Sequence, residues 1–149
     1  MSARQSSPPH PAPRGYAVGP GEGVRGRAHD VKASGQATGG NLTVIEIAID
    51  GGPPRHTHRH EDESLYVFTG VLDIQCGDEE FYAEPGSFVF LPRHFPHAFR
   101  TVDGPATALL IVTPGGLDEY FAELHAALNA KAEPGEIRRI QDAYGIVVL

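Results

Sequence analysis

Between residues 41 and 113 the chain is cut by turn residues into short β-branched and aromatic runs. NLTVIEIAID stops at Gly51-Gly52-Pro53-Pro54, SLYVF at Thr69-Gly70, and VLDIQC at Gly77-Asp78. EEFYA stops at Glu84-Pro85-Gly86, SFVFL at Pro92, HAFRT at Asp103-Gly104-Pro105, and TALLIVT at Pro114-Gly115-Gly116. Runs of this length and composition between such punctuators read as strands, and Gly77-Asp78 reads as a hairpin turn. Glycine (18) and proline (13) together supply 31 of the 149 residues, as many tight turns require. About seven strands at this spacing predict an antiparallel sandwich or barrel.

The two ends follow other patterns. Residues 1–27, rich in Pro, Gly, Ser and Arg, show a period of neither 2 nor 3.6 and are read as a flexible N-terminal arm. Leu117, Tyr120, Phe121, Leu124 and Leu128 fall on one helical face, with Asp118 and Glu119 in the first turn where the helix dipole favours acids. Pro134 to Tyr144 reads as a second helix. Proline opens it, Ile137 and Ile140 share a face, and Gly145 caps it. The expected organisation is thus an arm (1–27), a β domain (28–116) and a helical tail packed on it (117–149).

Twelve basic against nineteen acidic residues leave a net charge of −7. That balance, without a basic cluster, argues against nucleic acid and against anionic membrane surfaces as partners. No apolar run approaches the roughly 18 to 20 residues of a membrane span, and the first residues lack the apolar core of a secretory signal. Cys76 is the sole cysteine, so no internal disulfide forms, and with no base motif beside it the thiol reads as buried rather than nucleophilic. The simplest expectation is a cytoplasmic protein.

Chemistry concentrates in His56-Thr57-His58-Arg59-His60-Glu61-Asp62-Glu63. In an extended chain, side chains two apart share a face, so His56 and His58 can grip one ion. Glu63 follows a short bend and offers an oxygen. His97, which opens a strand after Pro92-Arg93-His94-Phe95-Pro96, is a candidate for a distant fourth ligand. Imidazole and carboxylate together suit one divalent transition metal per chain: Fe, Mn, Ni, Cu, Co or Zn. His60 shares the parity of His56 and His58, so a register shift of two would exchange its role; otherwise it lies at the bend, exposed or behind the ligands.

The segment resembles the first motif of the cupin superfamily: His56-x-His58, four residues, Glu63, six residues and Gly70, with Gly51 or Gly52 as the opening glycine. Gly86, five residues, Pro92 and His97 resemble the second motif, with His94 in place of its glycine and Thr101 in place of its asparagine. The resemblance covers roughly residues 40–113. It implies an all-β jelly-roll barrel, here with two C-terminal α-helices, whose one metal is held by His56, His58, Glu63 and His97. The stretches EDESLYVFTG, PGSFVFLPRHFPHAF and PGGLDEYFAEL are further similar to single-domain cupins described as quercetin 2,3-dioxygenase-like.

That likeness implies a dioxygenase acting on a small aromatic or enol-type molecule, with Glu63 as both ligand and proton acceptor, and a homodimer joined through strand edges. Oxygen-independent isomerases, cyclases or lyases, and a non-catalytic small-molecule binder, use the same ligands and stay open. By strand parity with Glu63 or His97, Leu65, Val67, Phe99 and Thr101 are expected to line the pocket. His60 and His94 are candidates for its second layer, and histidine at position 94 tolerates the positive φ of a glycine turn. Tyr66 and Phe68 are expected to face away, at the core or a dimer interface. Phe81, Tyr82, Phe88 and Phe90 are expected to pack.

Overall fold

Alternation of buried and exposed residues along two long strands organises the protein. The structure, a computed structural model, describes residues 12–23 and 30–149. Its strands are β1 (Val31–Ala33), β2 (Thr43–Ile49), β3 (His56–His58), β4 (Asp62–Cys76), β5 (Glu79–Ala83), β6 (Phe88–Leu91), β7 (His97–Thr113) and β8 (Ile146–Val148), with helices α1 (Leu117–Asn129) and α2 (Pro134–Ala143) before the last strand.

All eight strands belong to one antiparallel sheet, and β7 is its spine. One edge of β7 pairs with β4 along most of its length. The other pairs with β2, from Thr43↔Val112 to Ile49↔Ala106, and with β3 through His56↔His97. β4 carries β5 and β6 as further neighbours, and β3 carries β8. The folded sheet is a jelly roll whose inner face holds Ile45, Leu65, Leu72, Ile74, Leu91 and Val112, all buried. Along β4 the pleat sends Glu63, Leu65 and Val67 inward and Tyr66 and Phe68 outward.

Two expected turns are bulges inside continuous strands. SLYVF and VLDIQC form the single strand β4, and HAFRT and TALLIVT form the single strand β7. Between the pairs Thr69↔Thr107 and Val71↔Val102, Gly70 stands alone opposite residues 103–106 of β7. Gly70 has φ +78°, and a Cβ there would lie 2.7 Å from the Pro105 carbonyl oxygen. Glycine here bends the ladder without ending it. Three short strands escaped the periodicity argument: β1, β3 and β8 are each three residues long, too short to show a period.

The helices fall where their patterns place them, and Gly145 follows α2 with φ +73°. Leu128 is exposed and Ala127 is buried instead. The tail is not wholly helical, because β8 returns to the sheet beside β3 (His56↔Val148, His58↔Ile146). Of the expected arm, residues 1–11 and 24–27 lie outside the described residues. Residues 12–23 lie against β1: the Tyr16 hydroxyl donates to the Lys32 carbonyl, and the Lys32 ammonium donates to the carbonyls of Gly19 and Glu22.

Candidate metal centre

The pleat of β3 turns His56 and His58 inward and leaves Thr57 between them. Register then adds the distant partners. His97 sits directly across from His56 on β7, and Glu63 reaches the same interior from β4. One ligand atom from each of these four buried residues lies within 4.8 Å of the others. His97 is 0 % and Glu63 4 % exposed. Glu63 Oε2 is 2.9 Å from His58 Nε2 and 3.0 Å from His97 Nε2, and His56 Nε2 is 3.2 Å from His58 Nε2.

The back of each ring decides what its front offers. His56 Nδ1 donates to the Pro54 carbonyl at 2.7 Å, and His97 Nδ1 to the Phe95 carbonyl at 3.2 Å. A neutral imidazole donating through Nδ1 has a lone pair on Nε2. Two such lone pairs therefore point into a buried space beside a carboxylate. A cation relieves that arrangement, whether a proton on an imidazole or a metal ion held by all four groups. Three imidazole nitrogens with one carboxylate oxygen match the donor preferences of a divalent transition metal. His58 completes the pattern: its Nδ1 is buried without a hydrogen-bond partner, and the buried Glu61 carboxylate lies 3.9 Å away.

Electrostatics within the cluster favour the ligand forms. Burial pushes the Glu63 carboxyl up, but when His58 and His97 carry a proton their hydrogen bonds and charge outweigh it and hold the group far below the usual carboxylate range. Burial lowers His56, against a smaller opposing effect from its bond to Pro54, so this imidazole resists protonation.

The cluster opens into a cavity of about 710 Å³. Its barrel side is lined by β2 residues such as Ile45, Ile47 and Ile49, with Phe99 and Leu110 from β7. Its other side comes from the tail: Tyr120, Phe121, Leu124 and His125 of α1, Gln141 of α2, and Ile146 and Val148 of β8. α1 is held there by a buried carboxylate. Asp118 Oδ1 accepts from the Gly35 N–H and the Thr43 hydroxyl, both at 3.0 Å, and Thr43 Oγ1 accepts from the Gly116 N–H at 2.9 Å. Gly35 and Gly116 pack so closely that a Cβ on Gly35 would lie 2.7 Å from the Gly116 nitrogen.

Of the residues expected to line the pocket, Phe99 does. Leu65 and Val67 are instead fully buried in the core and do not line the cavity, and Thr101 holds the Gly51 turn through hydrogen bonds of 2.8 and 3.0 Å. Strand parity identified the inward face but not which inward residues border the cavity. Neither His60 nor His94 lines the cavity. His60 is exposed and packs on Gly145; His94 is exposed with φ +70°, its N–H donating to the His58 carbonyl. Tyr120 and Gln141 were missed as cavity residues, because their periodicity is that of any packed amphipathic helix. Phe88, Phe90 and Tyr82 are exposed on the outer face rather than packed within the chain. Cys76 is partly buried against the core, which raises its thiol pKa. Among the described residues, no helix is long and apolar enough to cross a membrane.

Comparison with known proteins agrees with this architecture. Residues 43–113 match the family model of the cupin domain. No curated protein matches the chain in sequence. Among solved structures, KdgF from Halomonas sp. aligns with a TM-score of 0.52 at 20 % identity, over 60 % of this chain and 79 % of that one. A sugar phosphate isomerase of the cupin superfamily from Silicibacter pomeroyi aligns with a TM-score of 0.44 at 28 % identity, over 49 % of this chain and 50 % of the other. The DMSP lyase DddQ from Ruegeria pomeroyi aligns with a TM-score of 0.46 at 26 % identity, over 51 % and 40 %. The domain match and the jelly roll lead to one conclusion: residues 43–113 form a cupin domain.

Proposed function

We propose that this protein is a metal-dependent enzyme, a dioxygenase acting on a small aromatic or enol-type molecule. The observation that carries the proposal is the buried His56, His58, Glu63 and His97 cluster at the wall of a largely apolar cavity. A divalent transition metal held by these residues would supply Lewis acidity and positions for a chelating substrate and dioxygen. Apolar side chains from β2, β7 and α1 suit a planar ring. Asp30, Glu46 and Asp50 on the same lining disfavour an anionic ligand. Glu63, kept ionised by its neighbours, would accept the proton of an enol or phenol hydroxyl.

The test is metal content followed by oxygen uptake. Mass spectrometry of untagged protein should find about one transition metal per chain, and the loaded protein should consume oxygen with a flavonol or related enol. Turnover of such a substrate under strict anaerobiosis would replace the oxygenase by a Lewis-acid isomerase, cyclase or lyase. Tight binding without chemical change over hours would leave a binding module.

We infer further that two copies associate through the outer face of β4, β5 and β6. Tyr66, Phe68, Tyr82, Phe88 and Phe90 are all exposed there, and clustered exposed aromatics favour burial against a partner. Light scattering should give twice the chain mass of 16.0 kDa, and a monomer mass would remove this inference.

A further inference from the structure

The cupin domain match ends at residue 113, yet one side of the cavity comes from the tail beyond it. That side carries a phenol. Tyr120 is 5 % exposed and lines the same cavity as His56, His58 and Glu63. Its ring is fixed from two directions, with Phe121 at 5.3 Å and Tyr144 at 5.4 Å between ring centres. Its backbone is fixed too, since Asp118, two residues earlier, is bonded to Gly35 and Thr43. Gln141 of α2 lines the same cavity. A phenol locked at an apolar cavity wall normally has a partner for its own proton.

We propose that Tyr120 is the substrate's hydrogen-bond donor, its O–H donating to an oxygen of a neutral enol or phenol held at the His56, His58, Glu63 and His97 cluster. Burial raises the Tyr120 pKa, so the group remains a protonated donor at neutral pH. Specificity for the substrate's oxygen pattern thereby resides in the tail, while the barrel holds the chelating end. This inference rests on the reading of the cavity as the site of a chelating enol.

The experiment uses full-length protein loaded with Zn(II), under anaerobic conditions, titrated with quercetin and followed by the shift of the flavonol absorption band. Tyr120→Phe removes one oxygen and keeps the ring packing. We expect it to weaken quercetin binding by about tenfold, the scale of one buried hydrogen bond, with metal content unchanged. Azide, a second probe that bonds to the metal alone, is titrated on Co(II)-loaded protein by its visible bands and should bind wild type and Tyr120→Phe equally. Equal quercetin affinities, or a parallel loss of azide affinity that betrays a disturbed centre, overturn this inference alone. Absence of quercetin binding to the wild type overturns both it and the enol reading. A tenfold loss in a protein that consumes no oxygen overturns only the oxygenase.

Discussion

The two walls of the cavity are built by different physics. The barrel wall brings four donors together from β3, β4 and β7, and strand pleat and register determine each position. The tail wall brings Tyr120, Phe121 and Leu124, and their placement depends on a buried carboxylate and close glycine contacts at the start of α1. The barrel wall is polar where it matters and carries the charge. The tail wall is mostly apolar and carries shape. The lesson is that a cluster able to hold a metal and an apolar cavity can share space without sharing determinants, so changes on one wall should be separable from changes on the other.

The largest separable effect should come from the barrel wall. Replacing His56 and His58 together by alanine is expected to lower metal content from about one per chain to under about a tenth, since removing ligands costs more than the 10- to 100-fold seen for their supporting partners. Mass spectrometry of the purified variant checks this, and circular dichroism should show the barrel intact. Retained metal would mean the donors lie elsewhere.

Next in size is the anchor of the tail wall. Asp118→Ala leaves the Gly35 N–H and the Thr43 hydroxyl without their buried acceptor. The expected cost is about 2–4 kcal/mol, read from urea unfolding. Metal content should stay near wild type, because no donor comes from α1. Simultaneous loss of metal would show the walls to be coupled.

A smaller effect concerns acid. Burial depresses His56 below its usual 6.5, so the unfolded chain takes up a proton first as pH falls below that value. Glu63 is held below its usual 4.5, so its contribution is present above that pH and lost as pH falls through the folded value. Both signs agree: metal-free protein should lose stability progressively from about pH 6.5 downward. The double histidine variant should lose less over the upper part of that range. Thermal melts at a series of pH values compare the two.

The smallest effect lies beside the cluster. Arg93 meets Asp62 through its backbone N–H at 2.9 Å and two guanidinium contacts of 3.1 Å, joining the start of β4 to the turn before His97. These side chains are substantially solvated, so Arg93→Ala should shift the melting temperature only slightly, and less at high salt. A large shift in metal content would show that this surface pair positions the donors.

Much of the barrel was legible because the pleat has a period of two. His56 and His58 share a face in any strand, and the Gly77-Asp78 hairpin is a local turn. Gly70 and Asp103-Gly104 were misread because turns and bulges use the same residues. Only pairing between β4 and β7 distinguishes them. The sealing of Leu65 and Val67 in the core, and the diversion of Thr101 to Gly51, depend on contacts between segments remote in the chain.

By itself, then, the sequence determined the β architecture, the two helices and the histidine pair, because these follow from local periodicity and turn chemistry. The tertiary structure alone decided that β8 returns beside β3, that Asp118 bonds to residues more than seventy positions away, and that Tyr120 faces the interior. These depend on contacts between segments remote in the chain. A helix shows in its sequence that it has an apolar face, but not what that face covers.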